Sequence, residues 1–171
     1  MARKDFPEEI FCWSFSFERL TMLIASSRKG AVGLGVILDE KPDCSEYFHA
    51  KFPQSRIMPD EGINADLILA VKGALQGKKV SEVLPLDISG TEFQMKVWKM
   101  IAKIPFGETR TYGEVALMAG KPGGARAIGQ VMHRNPLPII FPCHRVVAAS
   151  GIGGFGGGLT LKRYLLDRER I

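Results

Sequence analysis

The sequence has few of the residues on which disulfide frameworks and metal sites depend. Its 171 residues include three cysteines and three histidines, and no Cys-x-x-Cys pair occurs. An odd cysteine count without a secretion signal argues against a disulfide framework. A structural zinc site would require Cys12, Cys44 and His49, which are scattered along the chain, to meet in space. The sequence therefore predicts no metal and no cofactor.

Long apolar segments are missing as well. No run approaches the ~20 apolar residues that cross a bilayer. The two basic residues near the N-terminus precede no apolar stretch of the kind found in signal peptides. Hydrophobic residues make up 46% of the chain and charged residues 24%, as in ordinary globular proteins. We therefore expect no membrane association and a cytoplasmic location.

Positive charge is concentrated in the middle of the chain. The net charge is +5, and residues 96–145 hold eight basic residues against two acidic ones. This balance favours a polyanionic partner such as nucleic acid, although many basic proteins bind nothing acidic.

The first half of the chain predicts a small sheet followed by helix. Apolar runs separated by turn signals indicate antiparallel strands over residues 10–38. Residues 39–62 contain three prolines and predict mostly loop, with a short helix over residues 45–52. Apolar residues fall on one helical face over residues 63–76. Residues 83–88 predict a short strand or an extended linker.

Two capping boxes mark helix starts in the second half, Thr91-Glu92-Phe93-Gln94 and Thr111-Tyr112-Gly113-Glu114. The second opens a short helix, which a tight turn connects to a basic, small-sided helix over residues 125–133. Such a pair predicts a helix-turn-helix, and an ordinary αα-hairpin is the alternative.

A cysteine between two apolar runs is the most reactive-looking feature of the chain. Residues 139–147 predict buried strand on both sides of Pro142 and Cys143. His144 and Arg145 follow the thiol, and positive neighbours favour the nucleophilic thiolate. The alternative is a buried cysteine that only fills space.

The C-terminal segment combines glycine with a last helix. Residues 151–158 are too rich in glycine for regular structure. They predict either a flexible surface loop or a binding loop whose backbone lies closely around a flat ligand. They lack the Lys-Ser/Thr ending of a phosphate-binding loop. Residues 159–170 predict a helix with Leu161 and Leu165 inward and Lys162 outward.

These motifs together resemble the O6-alkylguanine-DNA alkyltransferases, also called methylated-DNA–protein-cysteine methyltransferases. Pro142-Cys143-His144-Arg145-Val146 is similar to the active-site signature of that family, and the resemblance is strong over residues 85–171. Further segments follow in the family's order: residues 104–109, 111–116, 125–129, 135–136, and 157–166.

The resemblance implies an α/β protein of two domains. Residues 1–84 would form an N-terminal α/β domain with an RNase H-like sheet. Residues 85–171 would form a mostly helical DNA-binding and alkyltransferase domain, containing the helix-turn-helix and an active-site strand. The implied partner is double-stranded DNA containing O6-alkylguanine, bound by a monomer that would associate with the nucleoid.

The implied reaction is direct, single-turnover repair. The Cys143 thiolate would take the alkyl group from O6-methylguanine, and O4-methylthymine stays open as a second substrate. His144 would act as general base through a water, with Glu169 orienting it. Tyr112 would donate a proton to N3 of the leaving base. Arg145 completes the signature beside these groups.

The resemblance also implies how DNA is bound, with the target base flipped out of the duplex. Arg126 would fill the gap in the stack, and the small residues Ala127 and Gly129 would let the helix approach the minor groove. The remaining residues carried over are structural: Asn135 bracing the turn, Pro138 and Met132 lining the pocket, and Gly157 in the closing loop. The chain departs from the family at Phe155, where tyrosine is usual, and in its extra glycines.

Three other functions compete with this interpretation. A non-catalytic relative would bind alkylated bases and flag them for another repair pathway, but such proteins lack the cysteine that stands here at position 143. A transcriptional regulator would need a sensor or dimerisation element, and none is visible. A thiol hydrolase would leave the basic helix pair unexplained.

Overall fold

The computed structural model describes residues 6–80 and 84–170. Its contacts divide the chain into two compact units, Met1–Ser89 and Gly90–Ile171. The sequence-based boundary between residues 84 and 85 precedes this division, because residues 85–87 pair with the first unit. Ala31 N–H donates to the Pro85 carbonyl at 2.9 Å, and Asp87 N–H donates to the Ala31 carbonyl at 2.9 Å. No helix in the described ranges is long and apolar enough to cross a membrane.

The first unit is built on a four-stranded sheet in the order β3-β2-β1-β4. Its strands are β1 (Glu9–Phe17), β2 (Leu20–Ser27), β3 (Gly30–Leu38) and β4 (Arg56–Pro59). The first three form an antiparallel meander, as predicted, and β4 lies parallel to β1. Strand β4 was not predicted, because its four residues end in a proline and lie in a polar segment, so they carry no strand signal.

Two helices complete the first unit, α1 (Cys44–Lys51) and α2 (Ala65–Leu75). The Asp43 side chain caps α1 by accepting from the Glu46 N–H. Phe48 of α1 is fully buried in a core cluster formed with Ile10, Cys12, Leu23, Ala25 and Val32. Both helices were predicted, with bounds that differ by one or two residues.

The second unit is mainly helical. It contains α3 (Glu92–Ile101), α4 (Tyr112–Met118), α5 (Ala125–His133) and α6 (Leu159–Glu169), with a two-stranded parallel pair of β5 (Arg110–Thr111) and β6 (Val146–Val147). Both predicted capping boxes are present, one at the start of α3 and one at the start of α4. The prediction of an α/β protein with an N-terminal sheet and a helical C-terminal part is confirmed.

Helices α4 and α5 pack against each other across a tight turn, the arrangement that the helix-turn-helix prediction described. Gly120 follows α4 with a φ of +76°, a conformation that glycine adopts without strain. Ile128, Val131 and Met132 form the buried face of α5. The Trp98 indole N–H of α3 donates to the Val131 carbonyl at 3.1 Å and holds α5 in place.

The prediction of a strand leading into Cys143 is wrong. Residues 139–141 form a turn and a bend, Cys143–Arg145 form one turn of 3-10 helix, and only Val146–Val147 continue as strand. Prolines at 136, 138 and 142 remove the backbone donors that a strand ladder requires. The Phe141 N–H instead donates to the Leu137 carbonyl at 2.8 Å, which closes a compact loop.

Candidate active site

A cavity of about 610 Å³ opens in the second unit. Four segments contribute to it: the start of α4, one face of α5, the cysteine turn and the glycine-rich loop. The lining residues are Tyr112, Ala125, Arg126, Gly129, Met132, His133, Cys143, Gly154, Phe155 and Gly156. Residues far apart in the sequence, and predicted for one site, therefore meet in one place.

Cys143 lies in the wall of this cavity with 6% of its surface exposed. Burial raises the pKa of its thiol, while a hydrogen bond from Asn135 and the positive charge of Lys162 act in the opposite direction. Asn135 also braces the loop before the thiol, because its Nδ2 donates to the Phe141 carbonyl at 2.7 Å and its Oδ1 accepts from the Leu137 N–H at 3.0 Å. The thiol thus needs a base to become a nucleophile.

The residue after the thiol, His144, belongs to a buried charge network. His144 Nε2 lies 2.7 Å from Glu169 Oε1, and Arg145 donates to both oxygens of the same carboxylate at 2.9 and 3.0 Å. Gly107 N–H donates to Glu169 Oε2 at 3.1 Å. Burial would raise the pKa of Glu169, but its bonds to His144 and Arg145 outweigh burial and hold that pKa at about 2.

His144 is neutral in this arrangement. Burial lowers its pKa more than Glu169 raises it. Because Glu169 is ionised and can only accept, the Nε2 of His144 carries the proton, and Nδ1 is left as an acceptor. Nδ1 is buried and has no hydrogen-bond partner among the described residues. A neutral imidazole with a free lone pair is the form that a general base requires.

The side chains of Arg145 and Lys162 do not point where the sequence analysis predicted. The Arg145 guanidinium points to Glu169 and to the Ile104 carbonyl, 2.7 Å from its Nη1, so it serves the network and does not face the thiol. Lys162 was predicted to face outward, yet it is fully buried. Its Nζ donates to the Val146 carbonyl at 2.7 Å and the Gly154 carbonyl at 3.1 Å.

Lys162 is a candidate site residue that sequence reasoning missed, because it was placed on the outer face of the last helix. Burial lowers the pKa of its ammonium group to about 8, and the proximity of Cys143 opposes this. The missed signal was its spacing, since Lys162 and Glu169 are seven residues apart on α6 and therefore share one helical face. A residue seven positions before an inward-facing glutamate also faces inward.

Tyr112 is positioned by the capping box that begins α4. Its hydroxyl donates to the Gly154 carbonyl at 3.1 Å. Gly153 has a φ of +72°, and a Cβ there would lie 2.9 Å from the Tyr112 ring, so the chain requires glycine at that point. Burial and the neighbouring Cys143 raise the pKa of Tyr112, which keeps its hydroxyl protonated.

Three residues predicted for the pocket or the DNA-binding face do not line the cavity: Pro138, Ala127 and Gly157. Pro138 and Ala127 are half-buried. A Cβ at Gly157 would lie 2.7 Å from Leu161 Cδ2, so this glycine lets the loop pack on α6. At Gly129, by contrast, nothing lies within 4 Å of a Cβ position, so the space beside it is open to a ligand.

Two further features bear on what the site binds. Arg126 is exposed at the cavity rim, near the start of α5. Within residues 6–80 and 84–170, no three His, Cys, Asp or Glu side chains converge in a way that would hold a metal ion. The described groups can perform proton transfer and nucleophilic attack by sulfur.

Comparison with known proteins agrees with this geometry. Residues 92–171 match the family model described as 6-O-methylguanine DNA methyltransferase, DNA binding domain. The methylated-DNA–protein-cysteine methyltransferase of Mycobacterium leprae is 46% identical over 114 residues, which are 66% of this chain and 69% of that protein. This chain belongs to the methylated-DNA–protein-cysteine methyltransferase family.

Other family members match nearly the whole chain. The inducible enzyme of Bacillus subtilis is 33% identical over 160 residues, covering 92% of this chain and 89% of its own. The crystal structure of Mycobacterium tuberculosis OGT in complex with DNA has a TM-score of 0.73 and 33% identity, and the match covers 95% of this chain and 92% of that one. These matches confirm the family resemblance, which the motifs of residues 85–171 carried.

Proposed function

We propose that this protein repairs DNA by transferring the methyl group of O6-methylguanine to Cys143 in a single turnover. The observation that carries the proposal is a cysteine in the wall of a cavity, followed in the chain by a buried histidine whose Nε2 lies 2.7 Å from the Glu169 carboxylate. Nucleophile, base and orienting carboxylate follow one another in the order that covalent catalysis uses.

The proton leaves the thiol first. His144 accepts it at Nδ1 through a water molecule, and Glu169 stabilises the imidazolium that results. The Lys162 ammonium, which lowers the pKa of Cys143, stabilises the thiolate once it has formed. The sulfur then attacks the methyl carbon, an S–C bond forms, and the bond from that carbon to O6 breaks.

The guanine must depart without a full negative charge. Tyr112 lines the cavity and keeps its proton, and we assign it the hydrogen bond to N3 of the leaving base. Its present acceptor, the Gly154 carbonyl, also accepts from Lys162 and therefore keeps a partner when Tyr112 turns to the base.

Double-stranded DNA is the proposed form of the substrate. The base must leave the duplex to reach Cys143, because the thiol lies in a cavity wall and not on a surface. Arg126 at the rim is placed to enter the stack, and the open space at Gly129 admits the backbone of the minor groove. One chain supplies every group in this scheme, so the proposed active form is a monomer.

We extend the proposal to O4-methylthymine. A cavity of about 610 Å³ is large for a single base, and the leaving oxygen of that lesion is likewise attached to an aromatic ring. The test is a competition between duplexes carrying either lesion, with Cys143 methylation as the readout. Methylation by the guanine lesion alone would restrict the substrate range to O6-methylguanine.

Two experiments test the main proposal. With a tenfold excess of lesion duplex, methyl transfer should stop at one group per protein, because the S–C bond is not broken again. Cys143→Ala should abolish transfer and retain lesion-dependent DNA binding. Continued turnover would refute the single-turnover mechanism, whereas binding without any transfer by the unaltered protein would identify a lesion-recognition protein.

A further inference from the structure

The first unit contains a second cavity, of about 580 Å³, in which two cysteines meet. They are Cys12, in the middle of β1, and Cys44, the first residue of α1. Both are free thiols, and neither takes part in the methyl transfer proposed above. They come from distant parts of the chain, so their meeting is a product of the fold.

The two cysteines contact each other's neighbours in the chain. Cys44 Sγ donates to the carbonyl of Trp13, the residue after Cys12, at 3.0 Å. Ser45, the residue after Cys44, places its hydroxyl 3.5 Å from Cys12 Sγ. Both cysteines line the same cavity. Cys12 is almost fully buried, and Cys44 is half-buried at the cavity.

The pair divides into a nucleophile and a resolving thiol. The proximity of the Cys44 thiol, with a smaller effect from the Ser45 hydroxyl, lowers the pKa of Cys12 to about 6, and the proximity of Cys12 raises the pKa of Cys44. A thiolate beside a protonated thiol is the combination from which reversible disulfides form. Both cysteines line the cavity, which we assign as the route of a small oxidant.

We propose that Cys12 and Cys44 form a redox-active dithiol that a hydroperoxide converts into an intramolecular disulfide. The Cys12 thiolate attacks one peroxide oxygen, the O–O bond breaks, and Cys12 sulfenic acid forms with release of hydroxide or alkoxide. The Cys44 sulfur then attacks the sulfenic sulfur, an S–S bond forms, and water leaves. The two sulfurs together lose two electrons, and the peroxide gains them.

The test uses the full-length reduced protein and hydrogen peroxide at pH 7. Remaining thiols are then blocked under denaturing conditions, and the protein is digested with trypsin. The three cysteines fall in separate tryptic peptides, residues 5–19, 30–51 and 135–145. We expect a loss of about 2 Da in the intact protein, a linked pair of peptides 5–19 and 30–51, and reversal by dithiothreitol.

Matched variants separate the dithiol from general thiol oxidation. Cys44→Ser should leave Cys12 without its resolving thiol, so oxidation should proceed to the sulfenic and sulfinic acids without the loss of mass. Cys143→Ser should still form the linked peptides. The link in the unaltered protein is the decisive readout, so a variant that fails to fold does not affect the conclusion.

Two results would overturn the proposal. One is that the cysteines of peptides 5–19 and 30–51 stay fully alkylated at a peroxide dose that already oxidises Cys143. The other is that Cys12 and Cys44 gain oxygen independently, or link to other chains, without forming the intramolecular pair. The outcome is independent of methyl transfer, because the readout is a covalent bond within the first unit.

Discussion

Replacing Glu169 with glutamine tests the buried charge network most sharply. The substitution keeps the shape of the side chain and removes its charge, which leaves the Arg145 guanidinium, 2.9 Å away, without its anion. Removing one partner of a buried ion pair costs about 3–5 kcal/mol, since the remaining charge stays desolvated. Glu169→Gln should therefore lower the free energy of unfolding by about that amount at pH 7.

The pKa of Glu169 gives a second estimate of this loss in the free energy of unfolding. Lowering the pKa of a carboxyl from 4.5 to about 2 stabilises the folded state by about 3 kcal/mol at neutral pH. A depressed pKa acts only while the carboxylate is ionised, so this stability is complete above pH 4.5 and is lost as the pH falls toward 2. About 1.4 kcal/mol should remain at pH 3.

The assay is urea unfolding of the unaltered protein and of Glu169→Gln, each at pH 7 and at pH 3. Glu108→Gln is the matched control, because Glu108 also pairs with an arginine, Arg110, at 2.9 Å, but at an exposed site. An exposed pair contributes up to about 1 kcal/mol. The reasoning is refuted if the two variants lose equal stability, or if the loss for Glu169→Gln is the same at both pH values.

Three further substitutions have defined outcomes. Lys162→Met should slow the single-turnover rate about a hundredfold by removing the cation beside the thiol. Arg163→Met, a change at the exposed neighbouring residue, is the control and should keep the normal rate. A normal rate in Lys162→Met would exclude stabilisation of the thiolate by Lys162. Gly153→Ala should cost about 1–2 kcal/mol, measured by urea unfolding, because of its positive φ and its contact with Tyr112; a loss no larger than in Gly154→Ala, where a Cβ meets nothing, would contradict the strain. Arg126→Ala should slow transfer from duplex DNA about tenfold and leave transfer from single-stranded DNA unchanged, since only the duplex requires base extrusion; equal slowing on both substrates would assign Arg126 to general DNA binding.

Sequence reasoning succeeded where the signal is local. Both capping boxes are readable because Thr and its partner three residues later satisfy backbone donors within one turn. The strands of the meander, β1, β2 and β3, are bounded by turns and alternate or run apolar over their length. Tyr112 was placed correctly at the start of a helix, because its neighbour Thr111 is the cap.

Sequence reasoning failed where the structure depends on distant groups. The apolar run before Cys143 resembles a strand, yet Asn135 and three prolines turn it into a loop whose bonds are local and irregular. Lys162 looks like a surface residue until the Val146 and Gly154 carbonyls are in place to accept from its ammonium group. No pattern in the sequence pairs Cys12 with Cys44, because only the packing of α1 on the sheet brings them together.

The measurement that tests the central claim most directly is the mass of the protein after incubation with a duplex carrying one O6-methylguanine. We expect a gain of about 14 Da, located on the tryptic peptide 135–145, which contains Cys143 as its only cysteine. An unchanged mass, or a methyl group found on peptide 5–19 or 30–51, would contradict the assignment of Cys143 as the acceptor.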